Sequence, residues 1–202
     1  MKKSAHGGGQ GEPTRILLDS NSYFRLAQSI RPLLGVEFGN KRYCLYITRD
    51  LDKEFERNPA LQTKFHWVRE AEYKANRQNT LNLPQNRQAE ARHLFDFLTN
   101  HARTENLSVS PVDVRTLCLG YMLGIPVITD DLDMLALANA FQIATMTTLD
   151  LVKLMLDENH IDMKKVRQIC AYWQYERDLP SPFSLFRKQY KNLFNEEPPP
   201  PV

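Results

Sequence analysis

The sequence holds no uninterrupted apolar run near the roughly 20 residues that a membrane-spanning helix needs. Its opening residues, MKKSAHGGGQGEPT, carry two lysines with no apolar stretch behind them. Neither a span nor a secretory leader is therefore expected, and a cytoplasmic location follows. Cysteine is scarce: three in 202 residues, Cys44, Cys118 and Cys170, each set among apolar or aromatic neighbours. An odd, scattered set does not build a disulfide framework or a zinc site, so buried thiols are expected. His66, His93, His101 and His160 show no metal-ligand spacing. A dominant charge is missing too, since 26 Lys and Arg against 24 Asp and Glu leave a formal net charge of +2. That balance names no partner by itself.

What remains is enough for a core: 202 residues at 42% hydrophobic content suit one domain of moderate size. Residues 1–14 are Gly-rich and polar, and 196–202 form a Pro-rich tail, so both ends are expected to be mobile. Between them, short apolar runs alternate with helical periodicity. RILLD ends on Asp19 and leads into SNSYFRLAQSIRPLL, which has helical spacing. KRYCLYITRD reads as a second strand, followed by DLDKEFERN with Glu54. Residues 57–106 read as a charged insert of two helices joined by a loop near Pro84, 107–110 as a brief strand, and Pro111 as the first residue of a helix bearing Asp113. GIPVITDDLDMLALA then gives a strand, three aspartates (Asp130, Asp131, Asp133) and a helix, and FQIATMTTLDLVKLML repeats the alternation. The pattern predicts an α/β fold with a mostly parallel sheet covered by helices. A helical extension is expected over 157–195, with Leu185, Phe186, Tyr190 and Phe194 docking it on the core.

In open parallel sheets, ligands bind beyond the carboxyl ends of the strands, where strand-to-helix turns share an edge. Asp19, Asp113 and the 130–133 cluster fall at such turns, and Glu54 is close to one. Each acid has a bland reading as a helix cap or a solvated charge. Together they suggest a cation, and an all-oxygen set selects Mg²⁺ or Mn²⁺. Such ions can activate a water and stabilise the leaving oxygen of a phosphodiester. Arg115, two residues after Asp113, is the best phosphate-contact candidate. Arg69, Lys74, Arg77, Arg87 and Arg92 could track a backbone while Trp67 or Tyr73 stacks bases, against an ordinary solvated face.

The order LLDSN, then Glu54, then PVDVRTLCLGYMLGIPVITDDLDMLALA resembles the PIN domain, a nuclease family that includes bacterial toxin ribonucleases and RNA-processing enzymes. The resemblance covers about 15–156. It implies an α/β/α sandwich and metal-dependent cleavage of single-stranded RNA. Matched position by position, the family's acids fall on Asp19, Glu54, Asp113, Asp131 and Asp133, with Thr129 as a hydroxyl beside them and Asn21 as a polar neighbour. An antitoxin partner is implied if the chain is a toxin, and a homodimer is a further candidate. The insert and the extension depart from the compact bacterial members. A non-catalytic RNA- or protein-binding module and a structure-specific DNA nuclease are the alternatives. Haloacid-type phosphatases fit poorly, because LLDSN lacks a second aspartate two residues after Asp19.

Overall fold

The computed structural model describes residues 11–201, so most of the start expected to be mobile lies outside the described residues. In chain order the elements are β1 (Thr14–Leu18), α1 (Ser20–Ala27), β2 (Glu37–Phe38), β3 (Tyr43–Tyr46), α2 (Asp50–Arg57), α3 (Pro59–Lys64), α4 (Ala71–Asn76), α5 (Gln88–Thr104), α6 (Pro111–Leu123), β4 (Val127–Ile128), α7 (Leu132–Ala140), β5 (Thr145–Met146), α8 (Thr148–Asp157), α9 (Met163–Tyr175) and α10 (Phe183–Phe194). The sheet order is β2-β3-β1-β4-β5, with β2 antiparallel to β3 and the other pairs parallel.

Alternation along β1 divides the interior in two. Ile16 and Leu18 face one cluster with residues of α1, α2, α8, α9 and α10, whereas Leu17 faces the other with residues of α5, α6 and α7. Helices thus cover both faces of a mostly parallel sheet, the α/β/α layering expected. Cys44, Cys118 and Cys170 are free and buried, and burial pushes the Cys118 thiol up to about 12.

Local chemistry sets the element ends that matter. Ser110 and Asp113 form a capping box at the start of α6, Pro111 sits in its first turn, and Gly124 ends it in the left-handed region at φ 63°. Gly120 lets α6 lie close on β4, since a Cβ there would stand 2.4 Å from Val127 Cγ2.

Two expectations need correction. Residues 107–110 form no strand. Their apolar members, Leu107 and Val109, do pack on the second cluster, but their donors go elsewhere: Leu107 N–H to the Ala102 carbonyl, Ser108 N–H to Asp133 and Ser110 N–H to Asp113. The insert is also more broken than two helices, because Asn58 caps a separate α3 with Pro59 in its first turn, and 3₁₀ turns follow at His66–Arg69 and Gln85–Arg87.

Helices α9 and α10 share the first cluster through Val166, Ile169, Cys170, Trp173, Phe186 and Tyr190. Phe186 and Tyr190 are fully buried, while Leu185 is exposed. Trp173 Nε1 donates to the Arg25 carbonyl at 2.9 Å. In the tail, Glu196 pairs with Arg167 and Glu197 with Arg187 and Lys191.

Candidate active site

β1 and β4 pair Leu17 with Val127 and Leu18 with Ile128, so both strands end at one edge. Asp19 is the first residue past β1, and its N–H donates to the Ile128 carbonyl at 3.0 Å. Its Oδ1 accepts from Ser22 N–H at 2.7 Å, which caps α1. Asp19 is only 3% exposed. Burial pushes its carboxyl from 3.8 up to about 6, against the opposing pull of the Ser22 and Thr129 hydroxyls.

Glu54 comes to this edge from α2, half-buried. Ser20, the neighbour of Asp19, donates its hydroxyl to Glu54 Oε2 at 2.5 Å. Burial raises the Glu54 carboxyl, and the charge of Asp113 raises it further. Asp113, at the start of α6, accepts from Ser110 N–H at 2.9 Å. Burial raises it as well, with the charge of Asp131 adding to the effect. Glu54, Asp113 and Asp131 are therefore linked in series through their charges, and Ser20 ties Glu54 to the turn that carries Asp19.

The aspartates after β4 divide their work. Asp131 caps α7, accepting from Met134 N–H at 2.8 Å, and its own N–H donates to the Thr129 hydroxyl at 3.2 Å. Thr129 is fully buried. Asp133 accepts from Ser108 N–H at 2.9 Å and so holds the 107–110 segment against α7. Asp130 turns toward Arg25 Nη1 at 2.6 Å and Thr148 N–H at 2.9 Å, and it also takes the Thr148 hydroxyl. Asn21 lies exposed in the first turn of α1. Arg115 pairs with Asp50 at 3.0 Å, and its guanidinium lies 5.7 Å from the Phe95 ring centroid.

Among the described residues, no three acid, histidine or cysteine side chains stand close enough to hold a metal ion in this arrangement. Asp19, Glu54, Asp113 and Asp131 each turn one oxygen to a backbone N–H or a hydroxyl of the polypeptide. The donor set is nonetheless all oxygen, as hard divalent cations require.

Some expected and unexpected residues change places. Trp67 and Tyr73 stand next to one another in the core, ring centroids 4.5 Å apart and each 4% exposed, so neither stacks a base. Arg77 is buried as well, on Asp52 and the Val68 carbonyl. Ser20 and Arg25 were not legible as site residues, because their partners Glu54 and Asp130 lie 34 and 105 positions away. For Ser20 the only local signal is its place beside Asp19.

No protein-family model and no curated protein matches the chain. Among solved structures, the crystal structure of FitAcB from Neisseria gonorrhoeae is similar over 66% of this chain and 98% of that chain, at 14% sequence identity and a TM-score of 0.43. An overlap that loose carries no argument about function or partner.

Proposed function

We propose that this chain is a metal-dependent endoribonuclease of the PIN type that hydrolyses phosphodiester bonds of single-stranded RNA. The observation supporting this reading is the set of carboxyls at one sheet edge. Three of them, Asp19, Glu54 and Asp113, have their proton affinity raised by burial, and two of these are raised further by the next acid in the series. Asp130 has Arg25 as a counter-charge, whereas the hydrogen bonds of Asp19, Glu54, Asp113 and Asp131 come from backbone N–H groups and neutral hydroxyls. A divalent cation relieves such crowding.

On this reading Asp19, Glu54, Asp113 and Asp131 hold Mg²⁺ or Mn²⁺ through oxygens not committed to capping. When bound, the ion supplies polarisation of a water and charge neutralisation at the phosphodiester. The chain's own residues do the rest. Ser20 and Thr129 orient Glu54 and the 129–131 turn, Asn21 offers a polar side chain at the mouth, and Asp133 secures the segment leading into Asp113. Arg115 contacts a phosphate of the strand after exchanging its partner Asp50.

The test is cleavage of a single-stranded RNA by the purified protein across a Mg²⁺ and Mn²⁺ titration. Cleavage should rise with metal and stop in chelator; activity that survives chelation overturns the reading. One observation favours a second reading, a non-catalytic RNA- or protein-binding module: the acids already serve as caps, and no three converge on an ion position among the described residues. Absence of cleavage at every metal concentration, with RNA binding retained, selects it.

A toxin role is a narrower form of the first reading. It requires an antitoxin, and a small DNA-binding protein encoded in the neighbouring reading frame is its mark. Among the described residues no helix is long and apolar enough to cross a membrane, and a cytoplasmic site of action is part of the same proposal. A sizing column tests the homodimer.

A further inference from the structure

Beside the acid edge lies a cleft of about 410 Å³ between the start of α2, the 81–83 segment, α5 and α6. Its floor is apolar, with Leu83 and Phe95. Its rim carries three arginines, Arg49, Arg92 and Arg115, against one acid, Asp50. Arg115 already engages that acid and lies over the Phe95 ring. Gln88 brings an amide to the same rim, fixed by its bond to the Leu83 carbonyl at 3.1 Å.

The combination narrows the ligand. An apolar metabolite has no use for three guanidinium groups, and an inorganic anion has no use for a ring and an apolar floor. A nucleotide uses both: a flat base on an aromatic or guanidinium plane, and phosphate oxygens on the arginine forks. The volume falls within the roughly 300–1,000 Å³ span of small-molecule pockets, enough for one nucleotide. Helix α2 connects the cleft to the acids: Asp50 lines the cleft, and Glu54 lies one turn further along on the same side of the helix. Helix α6 gives Arg115 to the cleft and Asp113 to the acids from different faces, two residues apart.

We propose that this cleft receives one nucleotide of a single-stranded RNA, its base against Phe95 and its phosphate among Arg49, Arg92 and Arg115, next to the bond presented to the acids. The identity of the strand rests on the nuclease reading. The binding surface does not, and it is measured without cleavage.

The experiment uses the full chain in chelator, a fluorescently labelled RNA hexanucleotide and anisotropy. Phe95→Leu keeps the apolar volume and removes the ring, and should raise the Kd about tenfold, the scale of one lost base stack. Arg92→Gln should weaken binding and flatten its salt dependence. Arg167→Gln, at the α9–tail pair with Glu196, should bind as wild type. Melting curves establish that each variant is folded, and if Phe95→Leu is not, the exposed Arg92 carries the test. Folded Phe95→Leu and Arg92→Gln proteins that bind as tightly as wild type overturn the cleft. Cleavage assayed in parallel separates the two ideas. Binding that depends on Phe95 and Arg92 without metal-dependent cleavage keeps the cleft and removes the nuclease; cleavage with indifferent variants does the reverse.

Discussion

Replacing Asp19 with Asn separates the two demands placed on that residue. As a helix cap, Asn serves about as well as Asp, so the bond to Ser22 N–H is kept. As a charge, Asp19 is a burden in the metal-free protein, because burial raises its pKa from 3.8 to about 6. The sign follows from linkage: an acid whose folded pKa is raised costs nothing while it is protonated in both states, and the cost grows between the unfolded and the folded pKa. At about 1.4 kcal/mol per tenfold change in proton affinity, the full cost above pH 6 is about 3 kcal/mol, shrinking to about 1 kcal/mol at pH 4.5. Metal-free Asp19→Asn should therefore be the more stable protein at pH 7.5, by about 1–3 kcal/mol once a partly unsatisfied buried amide is allowed for. For a chain of this size that is about 2–10 °C in Tm. The assay is thermal melting of both proteins in chelator at pH 4.5 and 7.5, repeated in saturating Mg²⁺. Wild type should gain stability from the ion and the variant should not. A variant that melts at or below wild type at pH 7.5 in chelator refutes the account of Asp19 as a strained, ion-seeking carboxylate.

Asp113→Asn retains an acceptor for Ser110 N–H, so Tm should fall by no more than the equivalent of about 1 kcal/mol, while metal-dependent RNA cleavage should drop by orders of magnitude; a folded, fully active variant removes Asp113 from the site. Asp130→Asn should do the opposite. Burial outweighs the attraction of Arg25 and raises the Asp130 carboxyl, so removing its charge relieves part of that cost. Unlike Asp19→Asn, however, the change also takes a 2.6 Å ion pair from the buried Arg25 and leaves it Asp178 at 3.6 Å, and this loss is the larger. Melting should then report a loss of about 1–2 kcal/mol and cleavage per folded molecule should persist, with equal loss of activity in both variants contradicting the division of labour. Gly120→Ala places a Cβ 2.4 Å from Val127 Cγ2 and 3.3 Å from the Ile125 carbonyl oxygen, for an expected cost of about 1–3 kcal/mol; an unchanged denaturation midpoint would show that α6 moves off β4 freely.

The sheet edge was legible because its signals are local. An apolar run that stops at a carboxylate and resumes with helical period marks a strand-to-helix turn, and β1 and β4 were found that way. Residues 107–110 misled by the same rule: Leu107 and Val109 alternate with serines and do bury one face, yet alternation cannot say whether a partner strand is present, and carboxylates had taken the donors. Trp67 and Tyr73 were read as surface stacking candidates from the charges around them, whereas packing across the insert buries both. Alternation along the end of β4 turns the adjacent Asp130 and Asp131 to different sides, but the groups that Asp130 meets were beyond the sequence, because Arg25 and Thr148 reach it only through the fold.

Helix α1 is closed from the far end of the chain. Arg25 offers its carbonyl to Trp173 and its guanidinium to the Asp178 carbonyl, partners 148 and 153 residues further on. A ribosome delivers the N-terminal half first, so the acid-bearing turn after β1 waits, backed by an unfinished interior, until α9 and the loop beyond it have been made. On the nuclease reading proposed above, the acid edge is therefore completed only after the C-terminal helices have been made.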